Sequence, residues 1–202
     1  MEQSPMEQTL LKKEKEIDKK TRRRTGMSTR GFVGYKQNKK IKGWYNHYDS
    51  YPTGLGEMVF EKCLIHHVEE LKSFFNRIEF VREESAYDAH KQVFDMDWAF
   101  DRPVLQDAGK FYKDALFCEW SYLFDFDHRS LKVYKGGCGA PGRGIKDWKH
   151  VGFDGTTFYM NEVAEFDFEK LRNCDPVLLA KNLELCVEQM EQKQDMQCIV
   201  SC

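Results

Sequence analysis

The chain has 202 residues, a net charge of −2, 41% hydrophobic and 14% aromatic residues. That is enough apolar material for one packed domain, and the near-balanced charge excludes a polycation built for nucleic acid or anionic membranes. No run of about 18 apolar residues occurs, so no membrane-spanning helix is expected.

The opening MEQSPMEQTLLKKEKE is polar where a secretory signal needs an apolar centre. The expected compartment is therefore the cytoplasm. Residues 1–26 read as a charged, flexible tail with eight basic and five acidic residues, too polar to bury much surface. Its end, the basic cluster Lys19–Arg24, offers a nuclear address or a phosphate contact; nucleic acid is not expected as a partner apart from this tail. The remainder, 27–202, reads as one domain.

From Thr29 the texture changes. TRGFVGYK and IKGWYNHYDSY flank the polar turn QNKK and predict a β-hairpin. Alternate residues of a strand share a face, so an extended second strand would present Tyr45, His47 and Asp49 on one side and Trp44, Asn46 and Tyr48 on the other. Imidazole titrates near neutral pH, and an adjacent carboxylate orients it; His47 and Asp49 are therefore the candidate acid–base residues. Pro52, Gly54 and Gly56 end the strand and lead into a helix. Helix starts carry unpaired N–H groups, and glycine lets a ligand approach them. Asp49 and Ser50 as turn formers, with the aromatics as core, are the competing reading.

Phe60, Leu64, Val68, Leu71 and Phe75 recur at steps of three and four, which predicts one amphipathic helix. The adjacent His66 and His67 then point about 100° apart on it and cannot chelate together. Residues 82–115 predict one or two helices broken near Pro103. CEWSYLFDFD and LKVYKGG flank the turn HRS and predict a second hairpin. In it Asp125 and Asp127 share a face; with His128 they are read as turn formers over metal ligands. GGCGAPGRG contains a formal GxGxxG, but Pro141, Gly142 and Gly144 forbid the helix that dinucleotide binding needs. It is read as a flexible loop or lid, with a solvated Arg143. TTFYMNEVAEFDF predicts a short strand. Asp175 with Pro176 predicts a helix start, and Leu179, Leu183, Cys186 and Met190 its apolar stripe.

The seven cysteines are odd in number, widely spaced and without a CxxC pair, so free thiols are expected. Neither a metal nor a cofactor is expected. Cys198 lies fifth from the end, one place off a prenylation box.

The stretch TRGFVGYKQNKKIKGWYNHYDSYPTGLG resembles the opening of a family of uncharacterised proteins scattered among phages, bacteria and large viruses. They open Met-x-Thr-Arg-Gly and carry Tyr-Asn-x-x-Asp-x-Tyr-Pro-x-Gly-Leu-Gly. Here this falls on Thr29, Arg30, Gly31, Tyr45, Asn46, Asp49, Tyr51, Pro52, Gly54, Leu55 and Gly56, and the second hairpin resembles that family's second hairpin. The resemblance spans roughly 27–137, concentrates attention on these residues, and implies that 1–26 is an addition. A second similarity is to N-terminal-nucleophile hydrolases of the bile-salt-hydrolase type, through the order Ser28, Thr29, Arg30, Asn46, Asp49. That chemistry needs a free α-amine beside the nucleophile, so Ser28 would have to be exposed by processing or by initiation at Met27.

The expected fold is α+β: an antiparallel sheet built from two hairpins with packed helices. The expected function is a binding module for a small anionic or nucleotide-like ligand at the 45–56 strand-to-helix junction. Arg30, Tyr45, Asn46, Tyr51, Gly54 and Gly56 are its candidate ligand-binding residues. The alternatives are a hydrolase using His47 and Asp49, or Ser28 after processing, and a protein–protein interaction module.

Overall fold

The computed structural model describes residues 29–81, 92–138, 149–151, 155 and 157–200. The tail 1–26, Ser28, the glycine-rich loop from 139 onward with Arg143, and Cys202 lie outside them.

The chain is α+β, as expected. β1 (Gly31–Gln37) and β2 (Lys40–Asn46) form the first hairpin. Asn38 and Lys39, at φ 52° and 64°, make its two-residue turn, the left-handed pair whose twist matches that of the strands. A π-helical turn, Pro52–Gly56, runs directly into α1 (Glu57–Ile65). α2 (Val68–Arg77) follows, then β3 (Glu79–Val81), α3 (Gln92–Asp95) and β4 (Val104–Gln106). β5 (Trp120–Asp125) and β6 (Ser130–Cys138) are the second hairpin. β7 (Lys149–Val151), β8 (Thr157–Asp167), α4 (Phe168–Leu171) and α5 (Pro176–Val200) complete the described order.

Six strands form one sheet in the order β2-β1-β5-β6-β8-β7, and β3 and β4 form a second, two-stranded sheet. Both predicted hairpins are present, but they join through a parallel pair, Gly31 opposite Trp120 to Lys36 opposite Asp125. The sheet is therefore mixed. A parallel pair needs a long crossover, and α1 and α2 lie within it. Their apolar residues cover one sheet face: Val59, Phe60, Leu71, Phe74 and Phe75 pack with Val33, Trp44, Tyr122 and Phe124, and α5 adds Ala180, Leu183 and Val187. The other face carries a smaller cluster of Phe32, Leu123, Tyr134 and Met160 beneath Tyr112, Ala115 and Cys118.

Three local expectations change. The predicted long helix breaks at His66–His67: His66 is extended, its N–H returns to the Lys62 carbonyl, and Glu70 accepts the His67 N–H at 2.9 Å to start α2. The break lets two short helices each turn an apolar side to the sheet. Within 92–115 only α3 and a three-residue 3₁₀ turn are helical. Aspartates fold this stretch instead: Asp97 accepts the Ala99 N–H, Asp107 the Gly109 N–H, and Asp114 those of Leu116 and Phe117, side-chain turns that compete with helix. On α5 the expected start holds, with Asp175 accepting the N–H groups of Val177 and Leu178. Its buried stripe, however, is Ala180, Leu183 and Val187, while Cys186 and Met190 are exposed.

Candidate functional site

The 45–56 stretch sits where β2 ends, beside the starts of β1 and β5. β2 stops at Asn46, so the strand alternation does not reach Asp49. There the chain folds into a tight turn. Asn46 is buried; its Nδ2 donates to Ser50 Oγ at 2.8 Å and to the Tyr48 carbonyl. Ser50, fully buried, donates its N–H to the Thr29 carbonyl at 3.2 Å, and its own carbonyl accepts the Tyr122 hydroxyl at 3.0 Å. Asp49 takes a left-handed φ of 51°, a conformation aspartate tolerates well. Asn46 and Ser50 are thus rivets of the fold, which matches the turn-forming reading for this part of the motif.

The glycines serve packing. A Cβ on Gly31 would meet Ser50 Cβ at 2.5 Å and the Trp120 carbonyl at 2.7 Å; one on Gly56 would meet the Tyr122 hydroxyl at 2.7 Å; one on Gly54 would strike the Asp49 carbonyl. The helix start expected to receive an anion is spent internally. Gly54 and Gly56 donate their N–H groups to the Tyr51 carbonyl, at 3.0 and 3.3 Å, and Leu55 donates to the Asp49 carbonyl at 2.7 Å.

The remaining polar residues divide into two groups. Tyr51 donates to Asp49 Oδ1 at 3.4 Å, and Thr53 donates to Glu184 Oε2 of α5 at 2.6 Å. Burial, Asp49 and Glu184 together raise the Tyr51 hydroxyl above its ordinary pKa, since each disfavours phenolate. This acidic group belongs to the face covered by α5. Tyr45 and Arg30 belong to the other face. Phe32 lies opposite Tyr45 in the hairpin register, in the second apolar cluster. The Tyr45 hydroxyl lies 2.7 Å from His47 Nδ1, and the Tyr45 ring meets Phe111 edge-on, centroids 5.0 Å apart. The His47 ring meets Tyr48 edge-on at 4.2 Å. Arg30, two residues before Phe32, places its guanidinium 5.0 Å from the Phe117 ring centre. Because Gly31 pairs with Asn46, Arg30 and His47 leave the sheet at the same end.

The predicted site residues are therefore close in space but sorted. Arg30, Tyr45 and His47 form a basic, aromatic rim; Asp49 and Tyr51 join Glu184 and Thr53; Asn46, Gly54 and Gly56 build the turn between. His47 is hydrogen-bonded to Tyr45, and Asp49 accepts from Tyr51. Sequence reasoning missed Glu184, Tyr48, Phe111 and Phe117. Tyr48 lies within the motif but falls on the opposite strand face in the expected alternation; Phe111 and Phe117 arrive from one distant loop and Glu184 from α5, so none of these three carries a signal local to the motif.

At the far end of β1 and β5, Asp125 and Asp127 do hold turns. Asp127 accepts the N–H groups of Asn38 and Lys39 at 2.7 and 2.9 Å. Asp125 accepts Lys36 Nζ at 3.0 Å and His128 Nδ1 at 2.8 Å. Among the described residues, no group of three or more His, Cys, Asp or Glu side chains is arranged to hold a metal ion, and no helix is long and apolar enough to cross a membrane. Burial pushes the Cys118 thiol up to about 12 and raises the Cys63 thiol further, so neither is a thiolate nucleophile. No protein-family model, no curated protein and no solved structure matches the chain.

Proposed function

We propose that the protein is a binding module for a small anionic, nucleotide-like ligand, received on the rim of Arg30, Tyr45 and His47. One observation carries this reading: the motif's cationic and aromatic groups gather at one end of one sheet face, where Glu119 is engaged on the Arg30 N–H at 3.2 Å, while Asp49 and Glu184 group with Tyr51 toward the other face. Arginine and histidine are the side chains that meet an anion with directed donors. Tyr48 and Phe117, 52% and 43% exposed, supply aromatic surface of the kind on which bases stack. The N–H groups of Gly54, Leu55 and Gly56 take no part, since they already bond to carbonyls.

The same rim would serve the phage, bacterial and viral proteins that the motif resembles, and the compartment would be the cytoplasm, with nuclear entry through Lys19–Arg24. Hydrolysis by a His47–Asp49 pair has less support, because His47 is hydrogen-bonded to Tyr45 and Asp49 accepts from Tyr51. Ser28 lies outside the described residues.

Calorimetric titration with adenosine monophosphate and with inorganic phosphate tests the proposal. Binding of the nucleotide, weakened roughly tenfold or more by Arg30→Ala and by His47→Gln, is the expected result, a loss of about 1.4 kcal/mol or more. Failure of the wild-type protein to bind either probe at millimolar concentration would overturn it.

A further inference from the structure

The turn between β5 and β6 holds a second group of titratable side chains, at the opposite end of the sheet from the Arg30 rim. Asp125 closes β5 and is 1% exposed, whereas His128 is 62% exposed. Asp125 Oδ2 lies 2.8 Å from His128 Nδ1 and 3.0 Å from Lys36 Nζ, and Oδ1 accepts the His128 backbone N–H at 3.2 Å. Lys36 Nζ also lies 3.5 Å from Nδ1, but the shorter contact to the carboxylate, which can only accept, places the ring proton on Nδ1 and leaves the lone pair of the neutral ring on Nε2. The described residues give Nε2 no partner.

Closing the turn does not require this ring. The His128 N–H already bonds to the Asp125 carbonyl at 3.3 Å and to its side chain, and Lys36 already neutralises the buried charge. The Nδ1 bond therefore does something further: it fixes the tautomer and the direction of an otherwise solvent-facing imidazole. Burial alone would raise the Asp125 carboxyl, but the hydrogen bonds from His128 and Lys36 outweigh it and keep the group below the ordinary carboxylate range, hence ionised. A buried orienter that is ionised at neutral pH and an outward base are the two parts of a general-base pair.

We propose that Asp125 and His128 form a general-base pair acting on activated acyl esters, with His128 as catalytic residue and Asp125 as positioning residue. Nε2 takes a proton from water as the water oxygen bonds to the acyl carbon. The ester C–O bond then breaks, the leaving group departs with the bonding pair, and the imidazolium returns its proton to solvent. The pair is independent of the Arg30 rim, and neither reading depends on the other.

The test uses the full chain, p-nitrophenyl acetate and mildly alkaline solution. His128→Gln should lower the protein-dependent rate of nitrophenolate release by roughly tenfold or more. Asp125→Asn should lower it as well, and nitrogen NMR should show the His128 proton leaving Nδ1. A His128→Gln rate equal to wild type, a wild-type rate no greater than that of free imidazole, or a wild-type proton resting on Nε2 would each overturn the proposal. Should Asp125→Asn fail to fold, His128→Gln, at an exposed side chain, decides the question with the wild-type NMR.

Discussion

β1 and β5 lie side by side, and their two ends are secured in different ways. At the starting end, neutral groups do the holding: Asn46, Ser50 and Tyr122 are buried and hydrogen-bonded, and Gly31 and Gly56 let neighbouring atoms press against the backbone. At the finishing end, charge does it: Asp125 and Asp127 clasp Lys36, His128 and two turn N–H groups, much of it near solvent. A neutral buried network tolerates little change in shape but is indifferent to pH. A half-exposed charged network tolerates shape changes better and depends on protonation. The rim proposed at the starting end lies beside its network, whereas at the finishing end the proposed pair, Asp125 and His128, belongs to the network itself.

The comparison breaks most sharply at Gly31. Gly31→Ala should cost about 3 kcal/mol, because the new methyl meets both a side chain and the immobile Trp120 carbonyl. Urea unfolding checks this, and a cost under about 1 kcal/mol would mean that the starting end yields easily. Tyr122→Phe should cost about 2 kcal/mol by leaving the buried Ser50 carbonyl without its donor. That loss should be the same across pH, since Tyr122, raised well above its ordinary pKa by burial, stays neutral.

The finishing end should respond to acid instead. Asp125 and Asp127 are both held below the ordinary carboxylate range, Asp125 by His128 and Lys36, Asp127 chiefly by the Lys39 and Asn38 N–H groups. Their contribution is therefore fully present above the unfolded carboxylate pKa of about 4 and is lost as pH falls through the lowered folded values. Melting temperature followed from neutrality to about pH 2 should show a steeper acid decline in wild type than in Asp127→Ala. Parallel curves would remove charge from the account of this end.

The smallest effect is expected at Asp49. Asp49→Asn should change stability by less than about 0.5 kcal/mol, because asparagine accepts the same left-handed φ. Absorbance titration should nevertheless show the Tyr51 hydroxyl moving back toward its ordinary pKa, as one of the charges that raises it disappears. An unmoved Tyr51 would separate Asp49 from the acidic group around Glu184.

What could be read before the fold was known follows the range of each interaction. The hairpins were legible because Asn38–Lys39 and the Asp127–Arg129 turn announce themselves within a few residues. The start of α5 was legible because Asp175 and Pro176 act on the next turn. The parallel β1–β5 pair was not, since Lys36 and Asp125 are separated by 89 positions and a register between distant segments leaves no periodic mark. Of the segment 82–115, expected to hold one or two helices broken near Pro103, residues 82–91 lie outside the described ones; in the rest only α3 and a 3₁₀ turn are helical, because the Asp97, Asp107 and Asp114 carboxylates take N–H groups two or three residues on. The motif's glycines stood out, but a sequence cannot say whether a glycine makes room for a ligand or for Ser50 and Tyr122. The candidate rim was half legible: Arg30, Tyr45 and His47 were named, while Phe111 and Phe117 come from a loop with no pattern of its own.

The parallel joint between the two hairpins has a kinetic consequence. Each hairpin closes over a few residues, whereas pairing β1 with β5 must close a loop of nearly ninety, including α1 and α2. Such closure is entropically costly before its contacts repay it, so the hairpins should form early and the joint should limit the folding rate. A Val33→Ala or Tyr122→Phe substitution should then slow refolding, while weakening the Asn38–Lys39 turn should mainly speed unfolding. The reverse pattern in stopped-flow kinetics would place the barrier in the hairpins themselves.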